Sequence, residues 1–254
     1  MTWAKSTAAA IWPALAAIML VSCAGPQSAG TREYDGASRL RVAAAAEASG
    51  QTDVALSMYA SAAAAEPGQA DVQARFAAAL IRNGSLAQAE QVLSRAIERR
   101  RDDPALLVQL GRLRLRSGAA AQALEIFERV LAAAPRDVGA LDGHGVALDL
   151  LGRHAEAERS HRAAFALAPN GVGVANNLAM SLLLVGRSEE AAAILEPLAR
   201  LPMAPPRVIT NLAIARAASG DSDGARSLLD GDGKSGGIDT VVQALSGGAT
   251  PGRS

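Results

Sequence analysis

The chain has 254 residues, half of them apolar but only 3% aromatic, and its 25 basic side chains are matched by 25 acidic ones. That balance provides no basic field to gather nucleic acid, and the single cysteine, Cys23, excludes both an internal disulfide and a thiolate metal cluster. The length suits one sizeable domain with tails.

The first 22 residues carry one charge, Lys5. An apolar run from Ala8 to Val21 follows, too short for a comfortable membrane span, and small residues come after it, as in a secretory signal. The stretch Leu20-Val21-Ser22-Cys23 resembles the lipobox of bacterial lipoproteins. The resemblance implies that residues 1–22 are a signal peptide cut before Cys23. The cysteine sulfur would then carry a diacyl group and the new amine a third chain. Three chains hold a membrane far better than one. Ala24, and not an aspartate, follows the cysteine, which in enteric bacteria favours the outer membrane. An ordinary signal peptide with an incidental cysteine, or an uncleaved anchor, is the alternative. No cofactor is expected beyond the covalent lipid on Cys23. The remainder of 23–35, AGPQSAGTREYD, is small and polar and reads as a flexible tether.

Residues 36–230 repeat every 34 residues. Glycine stands at 50, 84, 118, 152, 186 and 220, and alanine five residues later each time. A small residue precedes each glycine by seven: Ala43, Ala77, Gly111, Gly145, Ala179 and Ala213. Pro67, Pro135 and Pro169 close three of the units. Each unit reads as two helices, A and B. In the third, Pro104 opens helix A, where its missing N–H costs nothing. Leu107 and Leu110 face inward, and Gly118 supplies a left-handed cap. Ala123, Leu124, Phe127 and Val130 then form one stripe of helix B at helical spacing. Small residues sit where the two helices cross, because a larger side chain would push the axes apart. Arg101 and Met203 replace the closing proline in two units, and Pro197 falls inside a B helix, where it should kink or end it.

This pattern resembles the tetratricopeptide repeat at nearly every diagnostic position, over about three quarters of the chain. The resemblance implies an all-α, right-handed solenoid of about six repeats whose stacked A helices line a concave groove. In register, the groove positions are Ala78, Ile81 and Arg82, then Val108, Arg112, Leu115 and Arg116, then Asp142, Val146, Asp149 and Leu150. Asn176, Asn177, Met180, Leu183 and Leu184 follow, and Arg207, Thr210, Asn211, Ile214 and Ala217 complete the series. The groove is basic near Arg112 and Arg116 and apolar beyond, which suits an amphipathic peptide segment. Asn177 and Asn211 share one repeat position. In peptide-binding members of the family asparagine there holds ligand backbone, since an amide both donates and accepts. A local helix contact is the alternative for both.

Beyond the repeats, residues 231–254 are glycine-rich, with Ile238, Val241, Val242 and Leu245 at one-face helical spacing. A short helix capping the last repeat is expected there, followed by a disordered end.

Catalytic and metal motifs are weak. Gly233-Lys234-Ser235 lacks the first glycine of a phosphate loop, since Leu228 stands in its place. Asp221, Asp223, Asp230 and Asp232 lack calcium-loop spacing and a closing glutamate. His144 and His161 occupy positions that other units fill with Leu110, Leu178 or Phe127, and His154 lies in the turn. With Ser160 and Asp142 nearby they raise a triad or a metal pair, but the ligands are too few and no nucleophile motif accompanies them. A polar substitution satisfied locally within the packing is expected, and no enzyme.

One segment carries a finer resemblance. Residues 176–229, with the strings LEPLA, RVITNLAIA and a Gly220-Asp221 turn, look like the tetratricopeptide lipoprotein of Tad-type (Flp) pilus assembly, the TadD family. The resemblance implies an outer-membrane, pilotin-like scaffold that binds the pilus secretin or another pilus-assembly component. The alternative is a general envelope scaffold for polysaccharide export or cell-wall assembly.

Overall fold

Twelve α-helices follow one another in the computed structural model, which describes residues 36–230. The A helices are α1 (Gly36–Ala48), α3 (Ala70–Arg82), α5 (Pro104–Arg116), α7 (Val138–Leu150), α9 (Val172–Leu184) and α11 (Pro206–Ala218). The B helices are α2 (Thr52–Ala65), α4 (Leu86–Arg99), α6 (Ala120–Ala133), α8 (His154–Leu167), α10 (Ser188–Ala199) and α12 (Ser222–Asp230). Each begins 34 residues after its counterpart. No strand occurs among the described residues. The expected signal peptide, Cys23, the tether and the C-terminal helix lie outside them.

The turn between the helices of each pair is built by its glycine. All six, from Gly50 to Gly220, have φ between +74° and +93°, a region that strains any side chain. The Gly84 N–H donates to Ile81 O at 3.1 Å and the Ser85 N–H to Leu80 O at 2.9 Å, closing the last turn of α3. Entry into the A helices is set by side chains in two repeats. Asp103 accepts from Ala105 N and Leu106 N, and Asp137 accepts from Ala140 N.

Pro197 does end its helix early. The α10 helix runs only two residues past the proline and has 12 residues, where α2, α4, α6 and α8 have 14. The turn at Arg101, which lacks a proline, is tied from the next repeat: the Arg129 guanidinium donates to Arg101 O and to Asp102, both at 2.8 Å. Leu107 is buried as expected, but Leu110 is only half-buried, and Leu106 and Leu113 are the more deeply enclosed. A middle A helix packs against its own B helix and against both neighbouring repeats, so more than one stripe is covered.

Small residues set the spacing. Ala43, Ala77, Ala179 and Ala213 in the A helices, and Ala89, Ala123, Ala157, Ala191 and Ala225 in the B helices, are all fully buried. Ala157→Leu should therefore overpack the α7–α8 crossing and lower stability by ~1–3 kcal/mol. Denaturant unfolding checks this, and an unchanged midpoint would contradict the crossing. Successive A helices also pack closely on one another, α3 on α5, α5 on α7, α7 on α9 and α9 on α11, while successive B helices are not among the close pairs. The A helices accordingly take the inside of the curve.

Candidate functional site

The inner face is a ladder of repeat-equivalent side chains. One rung position, in the last turn of each A helix, runs Arg82, Arg116, Leu150, Leu184. Another, one turn earlier, runs Ala78, Arg112, Val146, Met180, Ile214. Both change from small or cationic to apolar between α5 and α7. Leu150 is 60% exposed and Leu184 57%, and Leu151 and Val185 beside them are also exposed. Large apolar side chains left open at corresponding sites of adjacent repeats mark an interaction surface. An open cleft of about 410 Å³ lies between α7 and α9, walled by Val146, Leu150, Met180 and Leu184, with Asp149, Asn177, Ser181, His154 and His161 beneath.

The cations at the other end differ in their partners. Arg82 is paired with Glu47 at 2.6 Å. Arg116 is exposed, and Arg112 is half-buried, its guanidinium lying against the first turn of α7 near Gly139. Neither has a carboxylate within ion-pair distance among the described residues. Burial pushes the Arg112 guanidinium below its ordinary range, although Asp142 and Asp137 act against it. Arg207 is exposed at the start of α11, while Leu183 and Ile214 are half-buried, Leu183 against the core of the last repeats.

The asparagines are engaged within the protein. The Asn177 amide donates to both carboxylate oxygens of Asp142 at 3.0 Å, and Asn211 donates to Asn176 Oδ1 at 2.8 Å. Asn176 itself is buried. Of the two readings, the contact between helices and not an amide left open for a ligand is what both residues show. They join consecutive A helices, each amide reaching the residue one place before its counterpart in the preceding repeat.

The histidines form an ionic cluster. His161 is fully buried, with Nδ1 3.6 Å from Asp142 Oδ1 and Nε2 3.3 Å from Asp149 Oδ2. Neither ring nitrogen makes a well-aligned hydrogen bond, and both lie within ion-pair distance of a carboxylate. His154 Nδ1 lies 2.8 Å from the other Asp149 oxygen. Burial alone would lower His161, but the two carboxylates outweigh it and hold the ring above its ordinary value of 6.5. Burial likewise raises Asp149, and its contacts with His161 and His154 overcome this and bring it below 3.8. His144 is different: it pairs with Ser160 Oγ at 2.8 Å, and burial keeps it below 6.5 against the pull of Glu128. Both are satisfied across the α7–α8 pair, His144 by a hydroxyl and His161 by two carboxylates. No cluster among the described residues is arranged to hold a metal ion.

The 34-residue register contains the signal for this cluster. Asp142, Asp149 and His161 stand where the preceding repeat has Val108, Leu115 and Phe127. Three apolar residues have been exchanged together for three ionisable ones. Charge taken out of water needs its partners, which is why the exchange is joint.

Family models described as tetratricopeptide repeat match residues 46–110, 106–139, and 172–197 with 206–230. No curated protein matches the chain. Among solved structures, a thermophilic TPR protein of Thermus thermophilus is 21% identical, with a TM-score of 0.62 over 71% of this chain and 98% of that one. A tetratricopeptide repeat protein of Parabacteroides merdae is 17% identical, with a TM-score of 0.59 over 86% of this chain and 85% of its own. The pilF protein of Pseudomonas aeruginosa is 15% identical, with a TM-score of 0.58 over 84% of this chain and 97% of that one. At these identities the likeness shows the shared fold alone. Since the matched segments span more than half of the chain and the helix pairs keep one register throughout, this chain belongs to the tetratricopeptide-repeat family, a scaffold suited to binding protein partners.

Proposed function

We propose that the protein is a non-enzymatic, lipid-anchored scaffold on the periplasmic side of the outer membrane. It holds a segment of a protein partner in its concave groove and serves secretin assembly in Tad-type (Flp) pilus biogenesis. The observation that carries the groove is the exposed apolar rung of Leu150 and Leu184 beside the open cleft between α7 and α9. The anchor rests on Lys5, the apolar run and Cys23. The pilus assignment rests on the resemblance of residues 176–229 to the TadD family.

Two variants test the parts separately. Cys23→Ala should block acylation and cleavage, so that precursor accumulates and the chain is absent from outer-membrane fractions. Normal processing of that variant would refute the anchor. The paired change Leu150→Asp, Leu184→Asp puts charge on exposed positions, where substitutions generally shift stability by about 0.5 kcal/mol or less. It should leave thermal unfolding nearly unchanged and abolish capture of the secretin from solubilised outer membranes. Undiminished capture would move the working surface off the groove. Capture of polysaccharide-export or cell-wall components in place of pilus proteins would replace the pilus assignment with a general envelope scaffold.

A further inference from the structure

The inner face has a direction. At α5 it presents Arg112 and Arg116, neither with a carboxylate within ion-pair distance among the described residues. Several other arginines of the A helices are neutralised, Arg82 by Glu47, Arg114 by Glu90 through two contacts and Arg216 by Glu196, whereas Arg207 at the start of α11 is exposed with no ion pair among the described residues. Arg112 is the more telling of the free pair, since it is half-buried and its charge is partly withdrawn from water. A guanidinium so placed is a ready fork for a carboxylate.

At α7 and α9 the same rungs become Val146, Leu150, Met180 and Leu184. The carboxylates of this region are mostly buried and engaged within the protein, although Asp142 and Asp137 partly offset the charge of Arg112. Asp142 is held by Asn177 and His161, and Asp149 by His154 and His161. The outward character of the groove is therefore cationic at one repeat and apolar at the next two.

Resting on the reading of the groove as the working surface, we propose that its occupant is an extended protein segment with an acidic residue followed by two bulky apolar residues. The acid engages Arg112 and Arg116, and the apolar pair fills the wall of Val146 and Leu150 and then that of Met180 and Leu184. Packed helices lie about 8–10 Å apart, and a chain in the extended polyproline-II form advances about 3.1 Å per residue and returns to the same face every third residue. The three anchors are therefore about three residues apart.

Labelled heptapeptides provide the test, with the purified full chain in nanodiscs and empty nanodiscs as the blank. The parent peptide carries glutamate first and leucine at the fourth and seventh places in a serine–glycine background. It is made in both chain directions, because an extended segment presents the same side-chain order either way. One direction should bind, with affinity falling as salt is added. Exchanging the glutamate for glutamine, or moving it between the leucines, should weaken binding about tenfold. In the Arg112→Gln, Arg116→Gln variant the glutamate and glutamine peptides should bind alike. Equal affinity of the wild-type chain for both peptides, indifference to the position of the acid, or no binding at 1 mM would overturn the proposal. If glutamine and glutamate peptides bind equally and Leu150→Asp, Leu184→Asp abolishes both, the groove stands and only the acidic anchor falls.

Discussion

His161→Phe is expected to cost about 3–5 kcal/mol at neutral pH, the usual penalty for removing one partner of a buried ionic group. Phenylalanine occupies the equivalent place one repeat earlier as Phe127, and Gly145 leaves room at His161 as Gly111 does there. What fails is charge. The carboxylates of Asp142 and Asp149 have side chains only 14% and 11% exposed, and they would face an aromatic ring. Converting the whole set, Asp142→Val, Asp149→Leu, His161→Phe, reproduces the residues of the preceding repeat. It should recover the loss and match or exceed the parent by about 1–4 kcal/mol. Chemical denaturation of parent, single and triple variants reads the coupling directly. A harmless single change, or a triple variant no better than the single, would refute the ionic account of this cluster.

The same cluster sets the pH dependence. His161 is raised in the fold, so its contribution is complete below the unfolded value of 6.5 and is lost as pH rises through the higher folded value. His144 is depressed, so between its folded value and 6.5 the unfolded chain binds more protons, and stability is lost as pH falls. The two limbs meet near 6.5. Stability between pH 5 and 9 should peak there, and the triple variant should lose the alkaline limb and keep the acid one. Asp149, held low, acts only below 3.8 and leaves this window untouched.

The fold was legible because its determinants are local and periodic. A positive-φ glycine and a buried alanine at constant offset state where each helix ends and where two must cross, and twelve helices follow that register. The groove rungs were legible for the same reason. The state of the side chains on them was not. Asn177 and Asn211 look like ligand-binding amides in sequence, yet each has its partner in the preceding repeat, 35 residues away. Arg82 and Arg112 look alike in sequence, and only the fold brings Glu47 to one and leaves the other unpaired. Partners at such separations depend on how one repeat sits on the next, which the pattern within a unit does not state. The His161 cluster is intermediate. Its three members are visible once repeats are aligned, but their convergence requires knowing that positions on both helices of the pair meet at the crossing.

Phe127→Ala is expected to cost about 3–5 kcal/mol, at the upper end for a buried aromatic. Phe127 is fully buried, and its ring lies against Gly111 of α5 and Gly143 of α7. Neither glycine has a side chain that could swing into the vacated space, so the cavity would stay open. The converse error is equally specific. A methyl added at Gly111 would stand 2.6 Å from the Phe127 ring, so Gly111→Ala should cost ~1–3 kcal/mol by overpacking. The chain already contains the compensated arrangement: Ala77, Ala179 and Ala213 accompany Leu93, Leu195 and Leu229 at these two repeat positions and glycine accompanies the rings of Phe127 and His161, with Ala43 and Tyr59 of the first repeat the exception. Gly111→Ala combined with Phe127→Leu should therefore be more stable than Gly111→Ala alone, with a coupling of about 0.5–3 kcal/mol. Because each repeat leans only on its neighbours, hydrogen exchange in Phe127→Ala should rise in α5, α6 and α7 and change little in α1 and α11. Uniform loss of protection along the whole solenoid, or strict additivity of the two substitutions, would show that the ring and the glycine do not form a matched pair.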